Sequence, residues 1–346
     1  MAAMAAPRVV VGIDNGGTKN NATVLDASGH FLVDRMHEVP SRVTEGPEAA
    51  IEAMVVAMDV ALTVSGIARE QVVAVGLDTP GPASADGVIS SKGATNFAQR
   101  AWRGYDVRGA LEARIGLPVV YNNDGNAAAL YAHQVHFGER AGDASSISAI
   151  VGTGLGGGVI EGGRVIRGAS GQAGELGHIR IPTDGIMADD QPMPTCACDQ
   201  PGDVESFASL TGIVRNLLPY WLSRYPEHPL ATLPLADAAK AVRAHAEAGD
   251  ELALAVFGQQ AAALGRLFSV AANFTDPAAY FVGGGVVEAA PHFRDWFLER
   301  VRAHTELRAE QAAVAEFALV PDRDMAGARG SAFAALAWLA DATIRT

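Results

Sequence analysis

An α/β fold with an internally repeated layout is what this 346-residue sequence predicts, and three observations predict it. Apolar, strand-like runs end in glycine-rich turns at "VVVGIDNGG", "SISAIVGTGLGG" and "YFVGGG". Alanine-rich segments with helical periodicity separate those runs. The order strand, glycine turn, strand, turn, strand opens the chain and recurs from Ser146, with more shared layout than shared sequence, which points to a duplicated architecture.

The elements follow in order. "RVVVGI" reads as a strand, "DNGGTK" as a turn and "NATVLD" as a second strand, with "ASG" turning into a third, "HFLVDRM". Pro47 to Ile67 reads as an amphipathic helix. "VVAVGLDTPGP" is a buried strand running into a Pro-Gly-Pro loop, "LPVVYNN" another apolar strand, and "GNAAALYAHQVHFG" a helix. The second hairpin system pairs "SISAIVG" with "GVIEGGRVIRG" around Gly162-Gly163. Val204 to Leu222, Leu235 to Ala248, Glu251 to Phe274, Pro291 to His304 and Ala326 to Ala342 are helical, and "AAYFVGGGVVE" is a strand entering a triple-glycine turn. Asp184 to Pro194 is a polar surface loop.

Composition excludes several classes. Hydrophobic residues make up 49% and charged residues 19% of the chain, which suits a globular protein with an ample core. A net charge of -13 argues against a broad nucleic-acid footprint. The N-terminus lacks the charged and long apolar regions of a signal peptide, and no apolar run reaches membrane-spanning length. Two cysteines one residue apart, Cys196 and Cys198, make a poor disulfide framework and suit a metal better. The expected compartment is the cytoplasm, with neither nucleic acid nor membrane as partner.

The glycine turns are not P-loops. "DNGGTK" has the wrong spacing and runs into a strand, not a helix. Such a hairpin turn can still form an anion-binding concavity from uncovered backbone N–H groups. "GTGLGGG", with five glycines in seven residues, sits at the mouth of the second hairpin, and "GGG" (Gly283 to Gly285) follows a third strand. Glycines carry a conformational-entropy penalty, so three such turns suggest two clasps on a nucleoside triphosphate and a flat approach for its adenosine.

Carboxylates stand where open α/β sheets put ligands, at strand C-terminal ends. Asp14 ends the first strand. Asp124 follows "VVYNN" at a helix start, where it reads either as an N-cap or as the acid that takes a proton from an attacking hydroxyl. Asn123 and Asn126 make the cluster denser than a cap requires. Asp14 suits a water-mediated Mg²⁺ contact. Glu175, His178, Glu205 and Asn96 are polar groups able to bond the hydroxyls of a polyol.

These pieces together resemble the ROK family of bacterial sugar kinases and related repressors, on its glucokinase-like branch. The resemblance runs from Val9 to about Leu339 through "GIDNGGTK", "GLDTPGP", "TNFAQRAWRGYDV", "NNDGNAAAL", "GTGLGGGVIEGGRVIRGASGQAGELGH", "CACDQPGDVE" and "VGGGV". It implies a two-domain actin-like ATPase (hexokinase/ribonuclease H-like) fold with an interdomain active-site cleft, divided here into 1–121 plus 328–346 and 122–327. It implies transfer of the γ-phosphoryl of ATP, with Mg²⁺, to a sugar hydroxyl, usually the 6-OH of a hexose such as glucose, and a dimer or tetramer. Asp124 falls on the catalytic base, and Asn96, Asn123, Glu175, His178 and Glu205 on sugar contacts. Asp14, Gly16, Gly17, Thr18 and Lys19 fall on the first phosphate motif, Thr153, Gly154 and Gly156 on the second, and Gly284 and Gly285 on the nucleotide side.

The sequence departs from that family in its metal motif. The family's zinc site uses the histidine of "GELGH" and three cysteines. Here His178, Cys196 and Cys198 match, and Asp203 stands in the third cysteine position. A carboxylate can ligate zinc, so a His-Cys-Cys-Asp site is chemically feasible, weaker and less selective than a three-thiolate one. Asn15 stands where relatives carry an aliphatic residue, and Asp199 where they carry glycine. Competing readings are an amino-sugar or cyclitol kinase, a sugar-binding sensor without catalysis, and a repressor. The last is disfavoured because the first hairpin starts at Arg8, ahead of which no helix-turn-helix is read.

Overall fold

The first strand shows how the sequence sets two faces. In the computed structural model, which describes residues 8–81, 83–90, 97–322 and 324–344, β1 (Val9–Asn15) turns Val9, Val11 and Ile13 into the core built on helix α1 (Pro47–Ser65). Val10 packs with Ala332 and Ala335 of the last helix, α11 (Ala326–Ile344), on the opposite face, as period-two alternation requires. The first sheet comprises β1, β2 (Lys19–Asp26), β3 (Val39–Pro40), β4 (Val72–Thr79) and β5 (Val119–Asn123), in the order β3-β2-β1-β4-β5. β1 is antiparallel to β2 and parallel to β4, and β4 is parallel to β5. Helices α2 (Val107–Ile115) and α3 (Asp124–Phe137) flank β5 in sequence.

Glycine brings α11 onto the sheet. A Cβ on Gly12 would lie 1.9 Å from the Ala328 carbonyl oxygen, and one on Gly76 would lie 1.8 Å from that of Ser331. Any side chain there would push the helix away.

The second sheet comprises β6 (Ser145–Val151), β7 (Leu155–Glu161), β8 (Arg164–Val165), β9 (Ala279–Gly284) and β10 (Glu316–Leu319), in the order β10-β9-β6-β7-β8. Around it lie α4 (Val204–Ala208), α5 (Leu210–Gly212), α6 (Leu218–Arg224), α7 (Leu235–Glu247), α8 (Glu251–Phe274), α9 (Pro291–Ala303) and α10 (Ala309–Ala312). The core of this part joins Ile147, Phe207, Leu264, Phe268, Tyr280 and Phe297.

The chain divides into two compact units, one of residues 1–142, 163–174 and 321–346, the other of 143–162 and 175–320. The expected division fell at 121/122. The observed unit keeps α3 with the first sheet, because α3 packs against α11 so closely that a Cβ on Gly330 would lie 1.8 Å from the Ala127 carbonyl oxygen.

Three local expectations are corrected. "HFLVDRM" forms no strand: the Asp26 carboxylate accepts the N–H groups of Ser28 and His30 in a tight turn, and Phe31 makes a single bridge to Leu25. The third strand is instead Val39–Pro40, at the sheet edge where proline is tolerated. The helix expected over Val204 to Leu222 is broken into α4, α5, a π-helical turn at Ile213–Leu217 and α6. The break falls at Ser209, whose backbone is extended at φ −77° and ψ 160°, and the π-helical turn stands just ahead of Pro219, which has no N–H to donate. β10 was not anticipated. Among the described residues no helix is long and apolar enough to cross a membrane.

Candidate functional site

The first unit carries a row of polar side chains at one level of its sheet. Register pairs Asn21 with Asp14, Asp14 with Asp78, and Asp78 with Asn122, across four neighbouring strands. All four share the face that packs on α11, being in phase with Gly12 and Gly76. Asp78 is fully buried and accepts a bond from Ser331 Oγ at 2.8 Å. Asn21 Nδ2 lies 3.4 Å from Asp14 Oδ2 and donates to the Asp324 carbonyl at 3.1 Å. Arg167 donates to Asn122 Oδ1 at 3.0 Å. Burial pushes the Asp14 carboxyl up to about 6, with the negative charge of Asp124 adding to the rise and a bond with Asp78 opposing it. Burial, and then the charge of Asp14, push Asp78 well above the usual carboxylate range. Hard oxygen donors of this kind suit Mg²⁺.

Sequence reasoning singled out Asp14 and missed Asp78. The available signal was an aspartate inside the otherwise apolar strand "VVAVGLDT".

Asp124 is the exposed first residue of α3. The N-cap is Asn123, whose Oδ1 accepts the Asn126 N–H at 2.7 Å, so capping does not account for Asp124. Its own Oδ1 accepts the Gly125 N–H at 2.8 Å. Asn123 Oδ1 is thereby committed, and only its Nδ2 remains to meet a ligand. The first glycine turn is closed by a bond from Gly16 N–H to the Lys19 carbonyl at 2.9 Å. Thr18 and Lys19 are exposed, and Lys19 pairs with Glu38. Asn96 lies outside the described residues.

Asn15 is fully buried, opposite Asn20 in the hairpin, and neither amide has a protein partner.

The second unit gathers Glu175, His178 and Glu205 close enough for their charges to interact: burial raises Glu175, His178 opposes that, and Glu205 adds to it. Glu205 also reaches the second glycine turn, accepting the Leu155 N–H at 2.8 Å. The far side of that turn is tied down by Leu210 and Thr211, which donate to the carbonyls of Gly152 and Thr153, while Thr153 itself is exposed. Gly284 has a separate reason to be glycine, with φ 93° and a Cβ position 1.8 Å from the Val151 carbonyl oxygen. The Gly285 carbonyl accepts from Arg243 at 2.7 Å.

His178, Cys196, Cys198 and Asp203 converge. His178 Nδ1 lies 3.9 Å from Cys196 Sγ, 3.7 Å from Cys198 Sγ and 3.5 Å from Asp203 Oδ2, and the last two are 3.8 Å apart. A tetrahedral zinc site with bonds of about 2.0–2.3 Å has edges of about 3.3–3.8 Å, so three of these separations fall in that range and the 3.9 Å one lies just beyond it. Asp203 is fully buried, and its other oxygen caps α4 through the Ser206 N–H at 2.9 Å. Cys196 Sγ lies 3.2 Å from Glu205 Oε1 as donor, and burial pushes its thiol well above the usual range. Asp199 adopts φ 67°, a left-handed conformation that aspartate tolerates better than most residues and that glycine would take freely. A second cluster, His228, His245 and Asp250, is already committed: His228 Nδ1 accepts the Leu230 N–H and Nε2 bonds Asp250 at 2.8 Å.

The family model described as ROK family matches residues 10–338. A glucokinase of Streptomyces coelicolor is 34% identical over 80% of this chain and 82% of its own length. An N-acetylmannosamine kinase of Escherichia coli is 31% identical over 79% of this chain and 82% of its own. The crystal structure of a ROK family glucokinase from Streptomyces griseus, in complex with glucose and AMPPNP, matches with a TM-score of 0.68 and 30% identity over 94% of this chain and 99% of that one.

Proposed function

The chain belongs to the ROK family and has its actin-like ATPase fold, and on that premise we propose that it is an ATP-dependent sugar kinase that phosphorylates a hexose such as glucose at the 6-hydroxyl. The observation that carries the reading is Asp124, an exposed carboxylate at the start of a helix already capped by its neighbour. In the proposed reaction Asp124 accepts the proton of the sugar hydroxyl as its oxygen attacks the γ-phosphorus. Positioning and charge neutralisation do most of the remaining work. Glu175, His178 and Glu205 bond the other hydroxyls, with Asn123 Nδ2 as a further donor. The two glycine turns offer backbone N–H groups and the hydroxyls of Thr18 and Thr153 to the phosphates. Lys19, whose surface pairing with Glu38 is weak, can exchange that partner for a phosphate. Mg²⁺, when bound, supplies positive charge against the phosphates, and Asp14 is the group to hold it. Zinc held by His178, Cys196, Cys198 and Asp203 would fix the loop from which Glu175 and His178 project.

A second reading, an N-acylhexosamine kinase, is favoured by the N-acetylmannosamine kinase relative. A coupled ADP-release assay over glucose, mannose, fructose, allose, N-acetylglucosamine and N-acetylmannosamine decides. The expected result is the highest kcat/KM with glucose. A preference for an N-acetyl sugar would select the second reading, and no turnover with any of them would leave a sugar sensor.

A further inference from the structure

The row Asn21–Asp14–Asp78–Asn122 has more acceptors than the protein supplies with donors. Neighbouring strands lie about 4.8 Å apart, so Asp14 and Asp78 set two carboxyl groups side by side, each within reach of the charge of Asp124. Ser331 serves one oxygen of Asp78. The other, Asp78 Oδ1, is buried and receives no donor other than a proton it can share with Asp14. Asn21, only 5% exposed, turns its Nδ2 toward Asp14 and the Asp324 carbonyl, which leaves its Oδ1 buried and unpartnered. Two adjacent buried carboxylates do not ionise together unless a proton or a cation lies between them. A single shared proton engages one oxygen of Asp14 and one of Asp78 and leaves Asn21 Oδ1 unpartnered. A cation satisfies Asp14, Asp78 and Asn21 together, through the hard oxygen set that divalent magnesium or manganese prefers.

We propose that Asp14 and Asp78, with the Asn21 carbonyl oxygen, form a divalent-cation site in the first unit that fills without nucleotide. The site goes beyond a water-mediated contact from Asp14 alone, because Asp78 adds a second carboxylate from the adjacent strand. Asn122 closes the row and is not a ligand: Arg167 holds its oxygen, so its Nδ2 faces away from that bond as a donor.

The test is Mn²⁺ binding, followed by electron paramagnetic resonance and calorimetry on the full chain at pH 7.5, without nucleotide or sugar. One Mn²⁺ per chain, displaced by excess Mg²⁺ and bound at least tenfold more weakly by Asp78→Asn, is the expected result. Asn21→Leu should weaken binding severalfold with both carboxylates retained, which covers the case in which Asp78→Asn does not fold. Absence of Mn²⁺ binding overturns the proposal. So does equal affinity in wild type and both variants, which would locate the ion at the unaltered His178–Cys196–Cys198–Asp203 cluster. Turnover is not measured, so the kinase reading stands or falls separately.

Discussion

Asp14→Asn should stabilise the protein while disabling it. The carboxyl of Asp14 is raised from 3.8 to about 6, so the fold favours its protonated form. Well below pH 3.8 the group is protonated in both folded and unfolded chains and contributes nothing. As pH rises through the unfolded value the unfolded chain ionises first, and a penalty on folding grows until pH passes about 6. A rise from 3.8 to about 6 gives at most about 3 kcal/mol at pH 7.5, with roughly half of it present at pH 5. Water at the partly exposed edge of Asp14 reduces that figure. The asparagine variant never ionises and escapes the penalty. Urea denaturation in EDTA, at pH 5 and pH 7.5, measures the difference directly. The variant should be the more stable protein at pH 7.5, with a smaller advantage at pH 5 and turnover lower by on the order of 10²-fold. A variant less stable than wild type at pH 7.5, or an advantage equal at the two pH values, would refute the claim that the fold is strained by this charge.

Other outcomes follow from the same geometry. Asp124→Asn should lower turnover by about 10²–10⁴-fold with an unchanged thermal midpoint, and near-wild-type kcat would remove it as the base. Elemental analysis should find one zinc per chain, lost in Cys196→Ser with increased proteolysis of the 175–203 region; a zinc-free wild type would end that assignment. Gly76→Ala, whose Cβ would lie 1.8 Å from the Ser331 carbonyl oxygen, should cost more than about 2 kcal/mol in urea denaturation. Asn15→Leu removes a buried amide with no protein partner and should gain about 1 kcal/mol, so a lower thermal midpoint would show that the amide is satisfied.

The strands and most helices were legible because their signals are local: apolar runs bounded by glycine, and alanine-rich periodicity. What failed was decided by particular atoms. The side chain of Asp26 turned the chain where a strand was expected, and the extended backbone at Ser209 broke a helix whose apolar pattern continued through it. In the site, Asp124 was legible from its position after a strand, but whether it capped α3 depended on Asn123. The convergence of His178, Cys196, Cys198 and Asp203 came from motif matching, with no local pattern to announce it. Asp78 was illegible because its meaning lies in register. Only when β4 is laid beside β1 does the strand's one acid stand next to Asp14.

The glycines show why composition alone overstated one argument and supported another. Three glycine turns at strand ends suggested three contacts with a nucleotide. Gly284 is already required by the fold, since Val151 leaves no room for a Cβ and its φ is positive, so its glycine says nothing about adenosine. A Cβ on Gly154 would meet Glu205 Oε2 at 2.8 Å, so that glycine keeps open the approach by which Glu205 reaches the turn. Gly152 differs from both. No atom comes nearer than 4.0 Å to its Cβ position, and its φ lies outside the left-handed region. Neither packing nor conformation demands glycine there, as is also true of Gly142 and Gly258. On the proposed kinase reading, that open backbone is where N–H groups of the turn would meet the phosphates of a nucleotide.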